Sequence, residues 1–248
     1  MKTRLLLLCF ALLSTQLISA QDFKLRILKN TRSDWGLSYN FFTGDNIDDF
    51  RTSIKGFGSG FLLDAFTGRY SKDIVYLGTE DVHLTFGAGV ALSKYRFSEP
   101  LIFEEEGGEF GYRIDDDPNH TYGNGFFSND KSKLVVGTFT FPAYLNFDVG
   151  SMYISAGGML DIFLSGKHKL KYTEDGKRQT RVIKNEDFND FPINKTKWGV
   201  GGMIMHKPSG VNVGVTYMLT PFWKDNSNFP EMNEVRISFS YDLSWLDH

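Results

Sequence analysis

The sequence predicts an all-β fold, a closed antiparallel transmembrane β-barrel of about eight strands. Three observations predict it. Val82, Leu84, Phe86, Ala88, Val90 and Leu92 alternate with His83, Thr85, Gly87, Gly89, Ala91 and Ser93, a period of two that marks a strand with one apolar face. The chain opens with an export leader. The pattern recurs along the chain between links that alternate short and long, which suggests lipid outside and polar groups inside.

The leader occupies residues 1–20. Lys2 and Arg4 precede the apolar run Leu5 to Leu13, which is too short to span a bilayer and suits a secretory signal peptide. Ile18-Ser19-Ala20 offers a small-residue cleavage site before the polar Gln21-Asp22. Cys9, the only cysteine, lies inside the leader, so the exported chain has no thiol for a disulfide, a zinc site or a nucleophile. Lys2 and Arg4 are the only charges in the leader, so cleavage takes the formal net charge from −3 to −5. That balance gives no reason to expect nucleic acid as a partner. Residues 21–34 are expected to form an unpaired periplasmic segment, and residues 35–248 the barrel domain. The 23 Phe, 11 Tyr and 25 Gly suit β structure with tight packing and turns.

The strands follow in order. The first, Trp35 to Phe42, turns Trp35, Leu37, Tyr39 and Phe41 outward. The second is expected at Phe57 to Phe66, with Asp64 inward. The third, Val82 to Arg96, carries the pattern already described. The fourth, Leu134 to Asp148, sets Val135, Phe139, Phe141, Ala143, Leu145 and Phe147 against Thr138, Thr140, Tyr144, Asn146 and Asp148. The fifth, Met152 to Leu164, sets Met152, Ile154, Ala156, Leu160, Ile162 and Leu164 against Tyr153, Ser155, Gly157, Asp161 and Phe163. The sixth is Trp198 to His206. The seventh, Val211 to Leu219, alternates valines with Asn212, Gly214 and Thr216. The eighth, Val235 to Trp245, alternates Val235, Ile237, Phe239 and Tyr241 with Arg236, Ser238, Ser240 and Asp242.

Tight turns are expected at Val149-Gly150-Ser151 and Lys207-Pro208-Ser209-Gly210, and long loops at 98–132, 166–197 and 220–234. Short periplasmic turns and long external loops are the barrel arrangement. The stretch from Thr67 to Asp81 departs from it, as a long link where a turn belongs, although Ile74 to Leu77 could extend a strand. A barrel of about eight strands is filled by its own side chains. The inward set Asp64, His83, Tyr95, Tyr144, Asp148, Tyr153, Asp161, Arg236 and Asp242 suits a hydrogen-bonded, ion-paired plug. Trp35, Phe147, Tyr153, Trp198, Phe222, Trp223 and Trp245 are candidates for interfacial girdles.

The run Phe139-Thr140-Phe141-Pro142-Ala143-Tyr144-Leu145-Asn146-Phe147 resembles a proline-bearing strand of the small PorT-like outer-membrane β-barrel proteins. Tyr153-Ile154-Ser155-Ala156-Gly157-Gly158, followed by Leu164-Ser165-Gly166, is similar to that family's glycine-marked fifth strand. Asp187-Phe188-Asn189-Asp190-Phe191, leading to Trp198-Gly199-Val200-Gly201, resembles its approach to strand six, with Pro192 as a departure. The tail Leu246-Asp247-His248 after Trp245 departs as well. The resemblance implies the barrel fold and an outer-membrane location, and it implies no activity.

Chemistry-bearing groups are few. No catalytic, cofactor or metal site is expected, and the protein is not expected to be an enzyme. A hydrolase would need a set assembled across strands around His83. Asp115-Asp116-Asp117 and Glu104-Glu105-Glu106 make one external loop acidic, without the spacing of a calcium loop. Lys167, Lys169, Lys171, Lys177, Arg178, Arg181 and Lys184 make the next one basic. The two loops could dock on each other, or the basic one could meet lipopolysaccharide phosphates. The expected role is structural or interactive in the cell envelope, with outer-membrane lipids and an envelope protein as partners. The alternative is a narrow pore for small solutes.

Overall fold

A computed structural model describes residues 24–27, 33–50, 66–79, 81–97, 99–107, 109–122, 131–184, 191–225 and 227–242. The expected signal peptide (1–20), Asp64 and Trp245 lie outside the described residues. The described chain is all-β apart from one short 3-10 turn, Asp48–Phe50. The strands are β1 (Lys24–Ile27), β2 (Ser33–Gly44), β3 (Phe66–Gly78), β4 (Val82–Arg96), β5 (Leu101–Glu106), β6 (Glu109–Ile114), β7 (Lys131–Val149), β8 (Met152–Glu174), β9 (Lys177–Lys184), β10 (Thr196–His206), β11 (Val211–Met218) and β12 (Met232–Asp242).

All pairings in the large sheet are antiparallel. β2 pairs with β3, β3 with β4, β4 with β7 and β7 with β8. β8 pairs with β10, β10 with β11 and β11 with β12, and β12 pairs back onto β2 from Met232↔Gly44 to Asp242↔Asp34. Each of these strands therefore has its backbone donors and acceptors engaged on both sides, as a strand in lipid requires. β5 and β6 form a separate hairpin, and β9 extends the sheet beyond β8.

The alternation sets the faces. Phe86, Val90, Phe139, Phe141, Ile154, Leu160, Val213, Val215 and Phe239 are exposed, whereas Thr85, Thr140, Asn146, Ser155, Asn212 and Thr216 are buried. Apolar side chains outside and polar ones inside invert the usual soluble arrangement. Val135 is the exception on the expected outer stripe of β7, being buried. A bulge between Gly137 and Thr138 shifts the register there.

Three expectations need correction. Residues 67–78 are not a link: they form most of β3, pairing from Gly68↔Leu92 to Gly78↔His83. Ile74 to Leu77 does extend a strand, and the turn to β4 shrinks to Thr79 to Asp81, where Thr79 N–H donates to the Val82 carbonyl at 2.9 Å. Polar Arg69, Ser71 and Lys72 hide this strand from an apolar-alternation count. Of the expected second strand only Phe66 is described. The segment 21–34 is not wholly unpaired, because Lys24–Ile27 pairs with Val75–Gly78 and Ser33 and Asp34 belong to β2. β12 begins at Met232, three residues before the expected start, so Glu234 is a strand residue.

The short turns now share one end: β3–β4, β7–β8 and β10–β11. The other end carries the long connections and the β5–β6 and β8–β9 hairpins. β7 and β8 are the longest described strands, at 19 and 23 residues. The β8–β9 hairpin closes on Asp175-Gly176, with φ of 48° and 71°, the two positive values that an Asp-Gly turn matches to strand twist.

Candidate functional site

The interior holds a charged cluster near the long-loop end. Glu234 is fully buried. It accepts from Arg236 Nε at 2.7 Å and Nη2 at 2.8 Å, from Lys197 Nζ at 2.8 Å and from the Tyr95 hydroxyl at 2.6 Å. Arg236 Nη1 lies 2.6 Å from Asp161 Oδ2. Two carboxylates thus face two cations across β4, β8, β10 and β12. Mutual neutralisation and hydrogen bonding offset the desolvation of four charges. Of the expected inward residues, Tyr95, Asp161 and Arg236 meet here. Sequence reasoning missed Glu234 and Lys197, because each sat at the margin of an expected loop. Two-residue spacing from Arg236 and from Gly199 was the signal that could have found them.

Toward the short-turn end the contacts are separate. Asn146 donates to Thr85 Oγ1 at 3.1 Å and accepts from Ser155 Oγ at 2.6 Å. Lys207 Nζ reaches both oxygens of Asp148 at 2.6 and 2.7 Å and lies 4.8 Å from the centre of the Tyr153 ring. His83 meets the edge of Tyr153 with ring centres 5.8 Å apart. The Asp242 carboxylate accepts from Ser33 N–H at 3.2 Å. The Tyr144 carbonyl accepts from Asn146 at 3.1 Å.

Above the charged cluster sits an aromatic cap. Phe42, Phe50, Tyr95, Phe97, Phe103, Phe191, Phe222 and Trp223 are buried together with Leu101, Leu134, Val136, Ile193 and Met232. Phe42 lies 4.8 Å from Phe222, and Trp223 lies 4.7 Å from Phe222 and 4.2 Å from Phe229. The expectation of Phe222 and Trp223 as girdle residues is therefore corrected: the β11–β12 connection folds inward, where each aromatic removes far more surface from water than at an interface. Lys197 Nζ lies 4.4 Å from the Phe222 ring centre, joining the cap to the charges beneath. Trp35 and Trp198 do stand on the outer wall, 55% and 56% exposed.

The two charged loops touch through backbone groups and ring contacts. Thr121 and Thr173 exchange backbone hydrogen bonds at 2.9 and 3.0 Å, and the His120 and Tyr172 rings are 3.8 Å apart. Phe103 stacks on His168 at 4.2 Å. His168 Nε2 lies 2.8 Å from Ser132 Oγ, which also bonds to the Leu101 carbonyl at 3.1 Å. Burial, then the Arg181 charge, pushes the His168 imidazole down to about 3. Both members are about 1% exposed, so this serine–histidine pair is a packed joint.

The acidic run builds a turn. Asp115 accepts from the Tyr122 hydroxyl, pairs with His120 Nδ1 at 2.7 Å and accepts from Asp117 N–H at 3.2 Å. Burial alone would raise the Asp115 carboxyl, and the bonds from Tyr122, His120 and Asp117 outweigh it and hold it below its usual range. Burial and the Asp115 charge push the Tyr122 phenol up. Asp117 accepts from Asn119 N–H at 2.9 Å, the local pattern of an Asx turn. Among the described residues no group of three or more His, Cys, Asp or Glu is arranged to hold a metal ion.

No family model matches this sequence, and no curated protein matches it. Among solved structures, the chain is similar to Ail, the attachment invasion locus protein of Yersinia pestis, at 12% identity over 85% of this chain and 96% of that one, with a TM-score of 0.36. It is also similar to Neisserial surface protein A, at 11% identity over 88% and 96%, with a TM-score of 0.40. Both are small outer-membrane β-barrel proteins. Likenesses this distant say nothing of what the chain binds or does.

Proposed function

We propose that this chain is a closed eight-stranded outer-membrane β-barrel with a structural or interaction role in the cell envelope, that it is exported by its leader, and that it has no open wide pore and no enzymatic activity. The single observation that carries the reading is the inverted wall. Strands paired in a full round present Phe86, Phe141, Ile154, Val213 and Phe239 outward, around a lumen crossed by Glu234, Arg236, Asp161 and Lys197. Lipid is the solvent such a wall suits. The PorT-like assignment rests on the resemblances at 139–147, 153–166 and 187–201. An envelope protein partner would meet the long-loop end, where β9 is almost wholly exposed.

The occupied lumen and the aromatic cap favour a plugged barrel over a narrow solute pore. The test is reconstitution of the chain without its leader into planar bilayers, after detergent folding checked by heat-modifiable gel mobility. The expected result is a folded, compact band with no steady conductance. A stable conductance step from the folded band would overturn the plugged reading in favour of the pore. Outer-membrane fractionation, with the protein recovered in the soluble periplasm, would overturn the barrel reading itself.

A further inference from the structure

Glu234 joins the lumen charges to the aromatic cap. Of its three partners, Arg236 leads on to Asp161 at 2.6 Å. The other two lead to Phe222. Lys197 Nζ, 2.8 Å from Glu234 Oε2, lies 4.4 Å from the centre of the Phe222 ring. Tyr95 donates its hydroxyl to Glu234 at 2.6 Å, and its ring centre lies 5.1 Å from that of Phe222 and 5.0 Å from that of Phe42. Both Lys197 and Tyr95 are buried. One carboxylate therefore fixes two sides of the socket in which Phe222 sits. Contacts of an ammonium with a ring face, and of one ring with another, hold only while the partner is fixed in place.

Phe222 belongs to the β11–β12 connection, which is tied to other connections more than to a continuous ladder. Asn194 Nδ2 donates to the Pro221 and Trp223 carbonyls at 2.8 and 2.7 Å. Lys224 N–H donates to the Pro192 carbonyl at 2.9 Å, and Phe222 N–H to the Met232 carbonyl at 2.7 Å. Ile193 and Trp223 form an isolated bridge. Trp223 Nε1 is buried with no acceptor among the described residues, so the closed position leaves a donor unsatisfied, at a cost in free energy. A segment held by loop contacts and two inserted rings opens more readily than the paired wall around it.

We propose that the β11–β12 connection is a lid over the long-loop mouth of the lumen, and that Glu234 is the positioning residue that holds it shut through Lys197 and Tyr95. Removing the Glu234 charge frees both sides of the socket, unseats Phe222 and lets Trp223 follow. The charge state of the lumen thereby sets access from the long-loop side. Asn194 is a second tether that does not depend on charge. The inference rests on the plugged-barrel reading above and adds a moving part to it.

The chain from residue 21 contains no cysteine, so single introduced thiols can report the opening. Met232→Cys reports from beneath the lid, and Leu170→Cys reports from an equally buried position on β8. The measurement is the rate of reaction with a charged thiol reagent, on detergent-folded chain that shows the compact gel band. Glu234→Gln should raise the rate at position 232 about tenfold, on the scale of typical coupling between sites, and leave position 170 unchanged. Phe222→Leu should raise it as well, and Glu234→Gln/Phe222→Leu should raise it no further than the larger single effect, because both act at one socket. Asn194→Leu should raise the rate and multiply with Glu234→Gln. Where Glu234→Gln gives no folded band, Tyr95→Phe takes its place: it removes one bond to Glu234, keeps the ring, and should raise the rate at position 232 alone. No rise at position 232, equal rises at both positions, or fully multiplicative effects of Glu234→Gln and Phe222→Leu would overturn the lid. Steady conductance from the unsubstituted chain would overturn the plugged reading instead, whereas a silent chain without selective labelling sinks the lid alone.

Discussion

Glu234→Gln is the most informative single perturbation. Glu234 accepts four hydrogen bonds at 2.6 to 2.8 Å, from Tyr95, Lys197 and twice from Arg236. Glutamine keeps the volume and removes the charge. Arg236 still has Asp161 at 2.6 Å, but Lys197, 1% exposed, loses the carboxylate it pairs with at 2.8 Å. Breaking a buried pair by removing one partner typically costs about 3–5 kcal/mol. With a typical urea dependence of about 1–3 kcal/mol per molar, the unfolding midpoint should fall by roughly 1–5 M. The assay is urea unfolding in detergent, followed by the loss of the fast-migrating folded band and by tryptophan fluorescence. Lys197→Met in the Glu234→Gln background should restore a large part of the loss, because it removes the orphaned charge. A variant that unfolds with the wild type, or a double variant whose losses simply add, would refute the reasoning that Glu234 and Lys197 stabilise the lumen as a pair.

Other outcomes are expected from the same structure. A Cβ at Gly157 would lie 2.0 Å from the Ala143 carbonyl oxygen, whereas one at Gly158 on the opposite face meets its nearest atom at 3.3 Å; Gly157→Val should abolish the folded band, and Gly158→Ala should keep it. Trp223→Ala should cost about 3–5 kcal/mol of cap packing and open the long loops to protease while the apolar belt stays protected, so unchanged cleavage would count against the cap. His168 is held neutral, with its folded value near 3 and below its ordinary one, so the unfolded cap binds the extra proton. Cap stability should be full above about pH 6.5 and fall by up to about 1.4 kcal/mol per pH unit toward pH 3. Hydrogen exchange in β5 and β8 should report that slope, and His168→Gln should flatten it.

The division between wall and lumen was legible in the sequence because a strand turns alternate residues to opposite faces. Seven of the strands follow from that period alone, as with Phe139 and Phe141 outside and Thr138 and Thr140 inside. β3 escaped it because Arg69, Ser71 and Lys72 interrupt the apolar count; its place is decided by pairing with β2 and β4. The charged cluster was half legible. Asp161 and Arg236 belong to alternating runs, but Glu234 and Lys197 lie at strand ends, where periodicity is too short to assign a face.

By itself the sequence determined the strand material and the inverted polarity of the wall, since both are properties of neighbouring residues. Only the tertiary structure decided which distant charges meet and that Phe222 and Trp223 turn inward to seal one end. Those depend on register between segments far apart in the chain, and no local pattern encodes a register.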